Sequence, residues 1–450
     1  MKKKYFSILA LTAILISSTV FYNPTSASSN GFEQGDQYMP GAYDKQSESP
    51  TPYNWTRNSP FYSVESNPTL KWELDLKYLV RGNPTIGSDG TIYVPSAKGD
   101  INAVNNDGTL KWQYKKNGAT DQLMGLSAVI GEDETLHVGN LALKKDGTLK
   151  WIYGTNNIRH KTAALDIHGN IVYTEPDIVN SLDPNGKLNW SYKVPGVLSS
   201  PSIGIDGTIY IGIGAGTDKP GVLALNPDGT VKWRYVVSIT TSIVHAFGSI
   251  AIGEDGTLYF GNTKDTIHAV NPDGTEKWTY KTTAEITTDI TIGRDGSIIF
   301  GSRDKNIYAL NQDGSFNWKY LSVGIPQISP IVDKNGNIFF QNNLYELVAI
   351  NSIGKFLWKY NLQSNTNAGS LAIGKDGTIY AVSGSKLTAI TGDIFEEINY
   401  CERYSTLQSL TEEDLNSQEA IDKAKKDLQS LKDALNELEN KINRAESSQQ

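Results

Sequence analysis

Cysteine is almost missing from this chain. Cys401 is the only one in 450 residues, so no intrachain disulfide can form. A lone thiol in an oxidising compartment fits a free thiol or an interchain bridge. Histidine is scarce as well. His137, His160, His168, His245 and His268 are scattered without metal-ligand spacing, and His137 and His268 sit in alternating strand patterns as structural residues. Positive charge is not in excess. The net charge of −8 and a pI near 5.3 exclude a nucleic-acid backbone as partner, which needs concentrated Lys and Arg. Long apolar runs are confined to one place. Lys2, Lys3 and Lys4 precede the apolar stretch 5–22, and "TSAS" at 25–28 offers small residues for cleavage. Residues 1–28 therefore read as a bacterial export signal. The expectation is a secreted or cell-surface protein with no membrane span once that signal is removed.

What the chain has instead is aromatic residues, glycine and repetition. It carries 23 Tyr, 9 Trp and 41 Gly, a β-forming composition with frequent tight turns. Trp72, Trp112, Trp151, Trp190, Trp233, Trp278, Trp318 and Trp358 recur at spacings of 40, 39, 39, 43, 45, 40 and 40. A second marker keeps step: a turn dipeptide and an apolar strand, as in "DGTIY" at 89–93, "DGTLY" at 255–259 and "DGTIY" at 376–380. Eight copies of each marker predict eight units of about 40 residues.

One unit parses as "GSIAIG" (248–253), "TLYFG" (257–261), "TIHAVN" (266–271) and "TEKWTY" (275–280), joined by "EDG", "NTKD" and "PDG". Asp-Gly between alternating apolar runs signals a hairpin whose two central residues both take positive φ. Four short antiparallel strands per unit make a propeller blade. The chain starts with an orphan fourth strand, "TLKWELDL" at 69–76, and ends in a three-strand unit at 368–391. The first completes the last, which removes both free sheet edges. The predicted fold is all-β: an eight-bladed propeller over 65–392, closed by an N-terminal strand. Residues 29–64 and 393–406 are linkers, and 407–447 form a C-terminal coiled-coil helix.

The fourth strands repeat Trp-x-Tyr, from Trp112/Tyr114 to Trp358/Tyr360, with Leu74 beside Trp72. Positions i and i+2 share a face, so the rings of all eight Trp are expected to brace one blade against another.

These residues resemble the pyrroloquinoline-quinone (PQQ)-like repeat family, above all "VLALNPDGTVKWRY" (222–235), "IHAVNPDGTEKWTY" (267–280) and "IYALNQDGSFNWKY" (307–320). Trp-Asp dipeptides and Gly-Gly pairs are absent, which sets aside WD-repeat and kelch propellers. The resemblance implies one of two things. One branch of the family holds quinone-dependent dehydrogenases; the other holds binding scaffolds such as the lipoprotein of the outer-membrane β-barrel assembly machinery. The dehydrogenase branch commonly has adjacent cysteines near the quinone and long insertions that supply Ca²⁺ ligands. Neither is present, so no cofactor is expected. PQQ with Ca²⁺, or a carbohydrate-active enzyme on the same propeller, is the alternative. "DKNGN" at 333–337 lacks the length and distal Glu of a Ca²⁺ loop and reads as a hairpin turn. A glycosidase needs two placed carboxylates, and Asp and Glu here lie mostly in turns.

The repeat fails in its second turns and interblade connections. Thr135 to Trp151 spans 16 positions, Thr257 to Trp278 spans 21 and Thr208 to Trp233 spans 25. Connections lengthen after Trp112 and Trp233. Variable loops on a rigid scaffold carry recognition, which makes Lys115, Lys116, Asp121, Asp218, Lys219, Ser242 and His245 the candidate contacts for a protein or glycan partner at the cell envelope. In the tail, Ile421, Ala424, Leu428, Leu431, Leu435, Leu438, Ile442 and Ala445 alternate at 3 and 4, an a/d heptad stripe. A homo-oligomer through 421–445 is expected, with Cys401 placed to bridge two copies.

Overall fold

In the computed structural model the described residues are 65–393, apart from 81, 116–126, 155–161, 197, 215–218, 238–248, 263–264 and 363–368. The chain divides into two compact units, Met1–Tyr38 and Met39–Gln450, and all described residues lie in the second. The export signal, Cys401 and the heptad segment fall outside them.

Eight antiparallel four-stranded sheets follow one another along the chain. Blades 1–7 occupy 85–114, 129–152, 164–193, 202–236, 251–281, 291–321 and 331–361; blade 8 joins 369–393 to 65–75. The second and third strands of blade 1, Ile92–Pro95 and Ile101–Val104, are buried throughout, because neighbouring sheets cover both of their faces. Its fourth strand, Leu110–Tyr114, is exposed or half-buried and forms the outer rim. The core thus lies between blades. One cluster joins Val222 and Ala224 of blade 4, Leu258 and Phe260 of blade 5, and Ile298 and Phe300 of blade 6.

Two expectations need correction. The first strand of blade 5 is only Ala251–Ile252, far shorter than the apolar run 248–253. The residues just before it bond to neighbouring blades instead: Ile250 O accepts the Ser202 hydroxyl of blade 4 at 2.7 Å, and Ser249 N donates to Asp289 Oδ1 at 3.3 Å. The Asp-Gly turns are also of another type. In blade 5, Gly274 N bonds Asn271 O and Asn271 N bonds Thr275 O. Only Gly274 takes positive φ, +88°. This is a type I turn ending in a left-handed bulge residue. The aspartate stays at negative φ because its carboxylate is engaged locally, with Asp273 Oδ1 accepting both the N–H and the hydroxyl of Thr275.

Ring closure uses strands remote in sequence. The opening strand Glu65–Asp75 pairs antiparallel with the closing strand Lys386–Asp393. Ion pairs Lys386–Glu73 and Lys71–Asp376 sit on this joint. Among the described residues no helix is long and apolar enough to cross a membrane.

Candidate functional site

The two faces of the propeller are built differently, and the difference begins in the fourth strand. Lys277, just before Trp278, reaches back across its sheet to the first turn, where its Nζ meets Asp255 Oδ2 at 2.8 Å and Thr257 Oγ1 at 2.9 Å. Lys111, Lys150, Lys232 and Lys71 do the same with Asp89, Asp133, Asp206 and Asp376. First and third turns therefore share one face, the turn face. Burial pulls the Asp89 carboxyl up, but hydrogen bonds from Thr91 and Lys111 outweigh it and hold the group at about 2. Asp133 is held at about 2 in the same way, by Lys150 and Thr135.

The Trp that follows reaches forward. Trp233 Nε1 donates to Pro272 O of the next blade's third turn at 2.9 Å, and its ring lies against Gly274, where a Cβ would come within 2.7 Å. Trp72, Trp112, Trp151, Trp190, Trp278 and Trp318 make the same bond, to Asn106, Lys145, Pro184, Pro227, Gln312 and Ser352, at 2.8–3.1 Å. Trp358 has the position without the bond. The tyrosine of each pair also faces the next blade, as Tyr235 does toward Phe260 and Tyr320 toward Phe340. On the turn face the repeated polar and aromatic groups are thus committed to one another.

The opposite face carries the second turns and the interblade connections. Backbone bridges tie the two together: Val80 to Ser96, Leu198 to Ile213, Ile286 to Ser302 and Pro326 to Asn342. Here the sequence pattern fails. Where the connections dip toward the axis, a hydrogen-bonded rim links the blades. Asn83 N donates to Ser127 Oγ, Ser127 N to Thr162 Oγ1, and Asp289 N to Ser329 Oγ, at 2.8–2.9 Å. Thr85, Thr291 and Ser370 hydroxyls donate to carbonyls of the following blade. Asp289 is the one carboxylate among these rim positions. Sequence reasoning passed over the rim, since single Ser and Thr residues before short strands carry no signal of their own.

Of the candidate contacts, Lys115 is exposed where the fourth strand of blade 1 ends, and Lys219 is exposed beside the third strand of blade 4. The Lys219 carbonyl accepts a hydrogen bond from Arg234. Lys116, Asp121, Asp218, Ser242 and His245 lie outside the described residues. Lys115 and Lys219 belong to different loops, and no described contact joins them. His137 and His268 are core residues. Burial lowers each to about 4, opposed by Asp133 at His137 and by Glu276 at His268. His137 lies against Trp151, with ring centroids 5.6 Å apart, and His268 stacks on Phe260 at 5.2 Å.

A Ca²⁺-held quinone would need six to eight oxygens around the metal, carboxylates among them. The rim brings Asp289 alone, with one oxygen already accepting Ser249 N–H. Among the described residues no three His, Cys, Asp or Glu side chains come together as a metal site. The described residues do not fit such a group.

Comparison with known proteins bears on the whole ring. A family model described as outer membrane protein assembly factor BamB matches residues 56–196 and 218–399. A protein of Bacillus subtilis (strain 168), "Uncharacterized protein YxaL", is 34% identical over 115 residues, 25% of this chain. That match spans only 26% of the relative's own length. The structure is similar to that of BamB from Moraxella catarrhalis, with a TM-score of 0.56 and 18% identity over 74% of this chain and 99% of that one. It is also similar to quinohemoprotein alcohol dehydrogenase from Comamonas testosteroni, with a TM-score of 0.60 and 12% identity over 78% and 81%. At these identities the structural likenesses speak for the fold alone.

Proposed function

The chain belongs to the family of outer membrane protein assembly factor BamB, and on that premise we propose that it is an exported, non-catalytic scaffold binding a protein or glycan partner at the bacterial cell surface. One observation carries the reading: the two faces differ in what is left to vary. On the turn face, Asp, Thr, Lys and Trp of the repeat bind each other in blade after blade. On the opposite face, second turns and connections change in length while the ring beneath them holds its form. A rigid frame with one variable face is how recognition is commonly mounted. Binding of this kind needs no cofactor. The family name adds a protein-assembly relative as support, and the candidate contacts Lys115, Lys116, Asp121, Asp218, Lys219, Ser242 and His245 belong to the loops of this variable face. We propose further that residues 421–445 join copies of the chain and that Cys401 bridges them.

The test grafts uniform Gly-Ser connections in place of 115–126 and 238–248 and measures binding of purified protein to envelope proteins and to cell-wall glycan. Binding should be lost, while Thr109→Ala and Thr275→Ala on the turn face leave it intact. The reverse pattern refutes the assignment of the face. Adding PQQ and Ca²⁺ should give neither a bound chromophore nor dye-linked alcohol oxidation, and either signal refutes the non-catalytic reading. Non-reducing gels should show a dimer that reducing agent splits, and solution mass should stay above one chain until 407–447 are deleted.

A further inference from the structure

Asp-Gly is a chemically weak pair. Glycine has no Cβ to shield its N–H, so its amide nitrogen can attack the neighbouring carboxyl carbon. Water leaves and a succinimide ring forms. Hydrolysis of the ring takes up water again and gives aspartate or isoaspartate, in which the main chain runs through the side chain. The carboxyl must be protonated to lose water, and free to swing toward that nitrogen. Hydrogen bonds to the carboxylate favour its charged form and hold it in place, so they protect the pair.

The chain carries ten such pairs, all among the described residues, and nine are protected. In the third turns, Asp107, Asp146, Asp228, Asp273 and Asp313 each accept both the N–H and the hydroxyl of the Thr or Ser two residues on. In the first turns, Asp89, Asp206, Asp255 and Asp376 each accept the N–H of that Thr and the ammonium of a fourth-strand lysine. Asp295 of blade 6 is exposed and accepts only Ser297 N–H among the described residues, at 3.0 Å. Asn317 stands where the lysine would. Blades 3 and 7 lack that lysine too, with Asn189 and Leu357, but their turns place His168 and Asn335 where the aspartate would be. Blade 6 alone has the aspartate without the lysine. The backbone does not account for the difference. In all five first turns the glycine N–H bonds the carbonyl three residues back at 2.9–3.0 Å, and the glycine φ lies between +74° and +78°.

We propose that Asp295-Gly296 is a site of spontaneous modification, where this protein accumulates isoaspartate ahead of its other Asp-Gly pairs and with no enzyme or cofactor. The effect reaches past one residue. Isoaspartate lengthens the main chain inside a turn that closes on Gly293 O. The residue beside it, Arg294, donates from Nη1 to Lys334 O of blade 7, so a distorted turn pulls on a clamp between blades 6 and 7. The propeller thus carries a chemical clock at this seam of the turn face. The inference stands apart from the identity of any partner.

The test ages the purified full chain in warm neutral buffer and maps its peptides by mass spectrometry, with fragmentation that separates isoaspartate from aspartate. Deamidation at Asn185 or Asn335 shifts the mass and is counted apart. Isoaspartate should appear first at 295 and exceed the sum over the other nine pairs. Asn317→Lys/Ser297→Thr should bring 295 down to their level. Lys277→Asn/Thr257→Ser, which strips the same groups from blade 5, should raise 255 to the level of 295 in the parent. Ageing should also speed backbone hydrogen exchange at Ile331–Val332, the first strand of blade 7, in the parent and not in Asp295→Glu. Isoaspartate spread evenly over the ten pairs, or led by another pair, would overturn the proposal. So would a level at 295 that Asn317→Lys/Ser297→Thr leaves unchanged, and equal exchange in aged parent and Asp295→Glu would overturn the link to the seam.

Discussion

Gly274 offers a direct measure of how strongly one blade grips the next. Replacing it with alanine has two costs. The left-handed conformation, φ +88°, disfavours any Cβ by about 1–2 kcal/mol. The new methyl would also meet the Trp233 ring at 2.7–3.0 Å, displacing it from Pro272 O. Overpacking of that kind costs about 1–3 kcal/mol, and the lost hydrogen bond about 0.5–1.5 kcal/mol. The sum is about 2.5–6.5 kcal/mol. Gly90 separates the two causes. Its φ is +76°, yet the nearest atom to its Cβ is Asn106 Cβ at 3.9 Å, so Gly90→Ala carries the backbone cost alone. Urea unfolding followed by fluorescence and circular dichroism should therefore rank Gly274→Ala below Gly90→Ala by about 2 kcal/mol or more, roughly thirtyfold in equilibrium constant. In a Trp233→Ala background the two substitutions should converge. Equal losses in the parental chain would mean that the indole adapts freely, and the brace would be no brace.

Three further outcomes follow from groups already placed. His137 has its folded pKa at about 4, below the roughly 6.5 of an unfolded histidine. The unfolded state therefore binds the proton more readily, and the contribution is complete above about 6.5 and lost as pH falls toward 4. His137→Tyr, which installs the residue found at Tyr93, Tyr210 and Tyr259, should flatten the unfolding midpoint between about pH 6.5 and 4; an unchanged slope counts against the burial argument. Asp89 and Asp133 are held at about 2, so their contribution is present above about 4 and disappears as pH falls from there to 2. Lys111→Met and Lys150→Met should shrink that acid loss, each by under about 1 kcal/mol because the pairs are partly exposed. Finally, a chain beginning after Asp75 should aggregate through the bare edge of Lys386–Asp393, and a peptide spanning 65–75 added during refolding should restore solubility; a soluble truncated monomer would show that closure is dispensable.

Much of the ring was legible in the sequence because its signals are local and repeated. The Trp spacing counts blades directly, and the lone "TLKWELDL" announces a strand in need of a sheet. Turn geometry departs from the reading for a physical reason. Asp-Gly favours a two-residue hairpin when nothing else binds the aspartate, but here the Thr two residues on captures its carboxylate, and the longer turn results. The axial rim stayed hidden because Ser127, Ser249 and Asp289 act across blades, through partners about forty residues away. The candidate contacts rest on loop length, a property that marks where variation is allowed without fixing which side chains meet. Lys115 and Lys219 show this, since both are exposed and no contact among the described residues joins them.

The joint between Glu65–Asp75 and Lys386–Asp393 has a mechanical meaning. The strands run antiparallel, with the chain entering at Glu65 and leaving at Asp393, directly opposite one another. A pull between the two flanking segments therefore loads the ladder at its end and opens it one residue pair at a time, as a zipper opens. Strands pulled lengthwise past each other would instead share the load over every bond at once. The propeller thus combines a ring whose last blade is complete at rest and a single seam that yields to tension, set at the point where the rest of the chain takes hold of it.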